Sequence, residues 1–75
     1  MRKEIIREQV KAAEKRVDHC KQFIRRQAQV VEDLHNAGRE DAEQLARKVL
    51  TTALQVRIAR EAKVERLLRD LSLAS

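Results

Sequence analysis

His35-Asn36-Ala37-Gly38-Arg39-Glu40-Asp41 decides how this chain of 75 residues folds. It holds the sole glycine of a sequence that has no proline. Glycine reaches the left-handed backbone conformation without a Cβ clash, so Gly38 suits the position just after a helix. Glu40, Asp41 and Glu43 follow at once. Negative charge is favoured there, because the first N–H groups of a helix lack partners. A helix stop followed directly by a helix start predicts an antiparallel αα-hairpin. The expected boundaries are one helix over residues 3–36, a turn over 36–40 and a second helix over 40–72, all within one domain, 1–75. Arms of about 33 residues would form rods of roughly 50 Å.

Upstream of the turn, Ile6, Val10, Ala13, Val17, Cys20, Ile24, Gln27, Val31 and Leu34 alternate spacings of four and three. That is a coiled-coil seam, with Phe23 and Val30 beside it and Phe23 expected in the core. Downstream, Ala42, Ala46, Val49, Ala53, Val56, Leu67 and Leu71 form one apolar stripe. Leu50, Leu54, Ile58, Val64 and Leu68 form another, rotated by roughly 80–100°. Folding about Gly38 would set Val31 against Leu45, Gln27 against Val49, Ile24 against Ala53, Cys20 against Val56 and Val10 against Leu67. Helix 1 then covers the first stripe and leaves the second bare.

The composition agrees with an all-α fold. Ala, Leu, Glu, Gln, Lys and Arg are strong helix formers and dominate the chain, whereas turn residues and aromatics are scarce. One cysteine excludes an intrachain disulfide and suits a reducing compartment. The opening residues carry no apolar run fit for a signal peptide, and no stretch is apolar over the roughly 20 residues of a membrane span. A cytoplasmic protein without membrane attachment is therefore expected.

Two helices enclose little core, and chains this small usually need oligomerisation or another staple. A bare row of Leu50, Leu54, Ile58, Val64 and Leu68 is the expected oligomer interface. A second copy would complete a four-helix bundle with two-fold symmetry, a homodimer being the first choice and a protein partner the alternative. Gln27 inside the seam, and Arg57, Arg60 and Glu61 on the apolar side of helix 2, are candidates for setting the register.

Ile24-Arg25-Arg26-Gln27, then Val30-Val31, Leu34 and Gly38 with the acidic pair Glu40-Asp41, resembles a pattern in small alphaproteobacterial helical-hairpin proteins of uncharacterised function. Glu40 stands where that pattern usually has Asp, and the Leu67-Leu68 pair is similar too. The resemblance implies the hairpin fold and a bacterial source, and it implies no activity.

Net charge is +5. No acid lies between Asp18 and Glu32, nor between Glu43 and Glu61, and these segments carry Lys21, Arg25, Arg26, Arg47, Lys48, Arg57 and Arg60. The hairpin would place them at one height, a basic waist beside an acidic tip. Lys21, Arg25, Arg26, Arg47 and Lys48 are the candidate contacts to RNA or DNA phosphates, the alternative function. Aromatic residues to stack on bases are almost lacking. His19, Cys20 and His35 lack metal-site spacing, and no nucleophile has a base in register. No catalytic residue, metal or cofactor is expected. The reading is a non-enzymatic hairpin that acts by oligomerisation and protein–protein interaction.

Overall fold

The computed structural model describes residues 2–74. Two helices make up almost all of it, α1 over Arg2–Asn36 and α2 over Glu40–Leu73. Neither contains glycine or proline, so nothing in either rod breaks the i→i−4 ladder. At the end of α1 the Arg39 N–H donates to the Leu34 carbonyl at 3.0 Å, and the Gly38 N–H donates to the His35 carbonyl at 3.1 Å. This is a Schellman closure around Gly38, whose φ is +70°. It uses carbonyls that the helix end would otherwise leave unpaired. The start of α2 differs, since the side chain of Arg39 makes no capping bond. Glu40, Asp41 and Glu43 in the first turn supply the electrostatic match instead.

The helices pack side by side into a rod whose Cα atoms span 56 × 14 × 11 Å. Ile6, Val10, Ala13, Val17, Cys20 and Val31 of α1 and Ala46 and Ala53 of α2 are buried between them. Ile24, Gln27 and Leu34 are half-buried in the same line, so the α1 seam follows the four-three spacing throughout.

On α2 the seam departs from expectation. Its buried and half-buried members include Ala46, Leu50, Ala53, Arg57, Val64, Leu67 and Leu71, again at spacings of four and three once Arg60 is counted. Val49, expected opposite Gln27, is 46% exposed, and Leu45, expected opposite Val31, is 64% exposed. Cross-helix bonds show the same correction. Gln27 Nε2 donates to the Ala46 carbonyl at 3.0 Å, and Cys20 Sγ donates to the Ala53 carbonyl at 3.4 Å. Each partner lies one turn nearer Gly38 than the expected Val49 and Val56. Alanine explains the choice: its small side chain at positions 46 and 53 lets Cys20 and Gln27 reach the α2 backbone, which valine would hold away.

Candidate interaction surface

Since α1 covers Leu50 and Val64 in part, the expected interface stripe is divided. Leu50 and Val64 are half-buried in the hairpin seam, while Leu54, Ile58 and Leu68 remain exposed, Ile58 at 68%. A different row is left mostly uncovered, with only Val56 half-buried in it. Leu45, Val49, Thr52, Val56 and Ala59 repeat the four-three spacing along one flank of α2. Phe23 joins them from α1, and at 39% exposed it does not belong to the core as expected. Val30 lies one heptad along from Phe23 and is exposed as well.

These side chains form an open groove of about 570 Å³, with Phe23, Val49, Thr52 and Val56 on its walls and Cys20 and Ala53 at its floor. His19, Lys48 and Arg60 border it. Towards the chain ends the same flank continues past Ala12, Arg16 and Lys63. The Cys20 thiol is buried and engaged with the Ala53 carbonyl, so the groove presents carbon rather than a reactive sulfur. Sequence spacing alone contains this row. It was masked because Val49 and Val56 also satisfy a stripe with Ala46 and Ala53, and only the cross-helix bonds separate the two.

The opposite flank has the opposite charge. Glu14, Asp18, Glu61 and Glu65 surround Val17 and Val64 there, with Lys21 among them. Lys21 and Phe23 project about 160° apart around α1, two residues at 100° each. The expected basic waist is thereby split. Lys21 stands among carboxylates while Lys48 borders the groove on the other side. Arg47 is held by Glu43, Nη2 to Oε2 at 2.7 Å, and Arg57 by Glu61 at 3.1 Å. Arg25 and Arg26 are exposed and make no ion pair among the described residues. The five candidate phosphate contacts share a height along the rod and do not share a face.

The residues weighed for register behave individually. Gln27 bonds across the hairpin, and Arg60 Nη1 donates to the Arg16 carbonyl at 3.3 Å, near Val17 as expected. Arg57 and Glu61 pair within α2 and do not cross to α1. A cluster not anticipated from sequence closes the tip, where Glu43 accepts from Arg47 and lies 3.0 Å from His35 Nδ1. The Arg47 hydrogen bond, followed by His35, holds the Glu43 carboxyl below its ordinary value. The signal was present in the Glu43–Arg47 spacing of four, but contact with His35 depends on how tightly the turn closes.

Among the described residues, no three His, Cys, Asp or Glu side chains gather as metal ligands would. No described helix is long and apolar enough to cross a membrane. Comparison with protein-family models, curated proteins and solved structures finds no match to this chain.

Proposed function

We propose that this protein is a non-enzymatic helical hairpin that works by self-association, presenting an assembled helical bundle to its partners. The observation that carries the reading is exposed area. The hairpin shows 6050 Å² to solvent, whereas a compact monomer of 8.7 kDa shows about 4,700 Å². Its radius of gyration, 17.0 Å, likewise exceeds the roughly 11 Å of a compact domain this long. A standard interface covers about 800 Å² on each partner, so the excess is large enough to supply one. The flank with Phe23, Val49 and Val56 is preferred because these side chains line one groove, although Leu54, Ile58 and Leu68 are no less exposed.

The nucleic-acid reading draws less support, because Lys21 and Lys48 face apart and Arg47 is already paired. The test is thermal unfolding at several concentrations. Mass action makes an associating protein melt higher as concentration rises. A melting temperature that climbs by several degrees over about a hundredfold increase supports self-association. A constant one contradicts it.

A further inference from the structure

The groove flank has a symmetry of its own. Along α2, Thr52 stands at the middle of this row, with exposed Val49 and half-buried Val56 on either side and Leu45 and Ala59 each seven residues away. Reversing the helix about Thr52 returns nearly the same row. Phe23 of α1 lines the same groove as Thr52. A surface of this kind matches its own copy turned end for end, which is the requirement for a two-fold axis that crosses the rod.

Charge selects the same orientation. On this flank the cations Arg16, Arg60 and Lys63 lie farther from the turn than Thr52, and Lys48 lies nearer to it. The tip beyond Leu45 carries Asp33 and Asp41. Parallel pairing would stack Lys63 on its own copy. Antiparallel pairing about Thr52 instead brings Lys63 to the level of Asp41 in the second copy. At that position like charges meet in one arrangement and opposite charges in the other.

We infer that two copies of this chain pair antiparallel through the groove flank, on a two-fold axis at Thr52, with α2 packed on α2 and Phe23 of each copy in the groove. The inference rests on the self-association proposed above and adds its orientation. Val49 of each copy then lies within one residue of the level of Val56 of the other, and the turns point to opposite ends of the assembly.

Distance between the turns tests it. A spin label at Ala37→Cys, with Cys20→Ala to remove the native thiol, marks each tip, and circular dichroism checks that the helices survive. Fourteen residues separate Thr52 from Gly38, so the axis puts the two labels about 42 Å apart at 1.5 Å per residue. Dipolar spectroscopy giving a single distribution near that value supports the inference. A distribution below about 25 Å would mean parallel hairpins, one helix-pair width apart, and would overturn the orientation while leaving self-association standing. No dipolar coupling at micromolar concentration would overturn both. Val49→Lys provides an independent readout on an exposed position that does not support the hairpin seam. At least a tenfold loss of dimer affinity with helicity retained is expected, and unchanged affinity would overturn the inference.

Discussion

Gly38 is the residue on which the hairpin turns, and its demand is conformational rather than steric. A Cβ added there would meet nothing within 4 Å, yet the φ of +70° is costly for any residue that carries one. Gly38→Ala should therefore lower stability by about 1–2 kcal/mol, and Gly38→Asn by less, measured by urea unfolding. Glu43 contributes in a pH-dependent way. Arg47 and His35 lower its carboxyl pKa in the folded chain, so the stabilisation is present above the ordinary value of 4.5. It fades as pH falls through the lowered folded value. Glu43→Gln should flatten the fall in melting temperature on acidification below about pH 4.5, leaving stability near neutrality only modestly changed. Gln27 presents a third case. The Ala46 carbonyl that it bonds also belongs to the α2 ladder, so Gln27→Leu orphans no acceptor. Its effect on stability should stay within about 1 kcal/mol.

At the scale of the helices, close approach depends on Ala46 and Ala53, where α1 side chains reach the α2 backbone. Ala53→Leu should push the rods apart and cost about 1–3 kcal/mol in unfolding free energy. Much of this level was legible in sequence. Gly38 and the acids after it marked the turn, and both helices end within two residues of expectation. The α1 seam was legible because aliphatic residues occupy nearly every four-three position. The α2 seam was not, because Arg57 and Arg60 fall in it and break the apolar run. An arginine can occupy such a position when its stem covers apolar surface and its head leaves the seam, as Arg60 does in bonding the Arg16 carbonyl. With those positions discounted, Leu50 and Val64 looked like members of an outer stripe. Phe23 was misplaced for a related reason: an aromatic beside the seam reads as core, although a two-helix molecule has no third element to cover it.

As a whole, the molecule is a rod with two unlike flanks, one apolar with cations along it and one lined by Glu14, Asp18, Glu61 and Glu65. Pairing through the apolar flank leaves the acidic flanks facing outward on both sides of the bundle. Net charge remains positive, so association should tighten as salt screens the overall repulsion between copies. A dimer constant that strengthens modestly between low and physiological ionic strength would agree with this, and steep weakening would point to ion pairs as the main attraction. Sedimentation equilibrium of the native chain beside Val49→Lys is the most direct measurement of self-association through the Phe23 groove. The native chain should sediment at twice 8.7 kDa and the variant at 8.7 kDa at the same micromolar concentration, both helical. A native chain that stays at 8.7 kDa, or a variant that dimerises equally well, would contradict it.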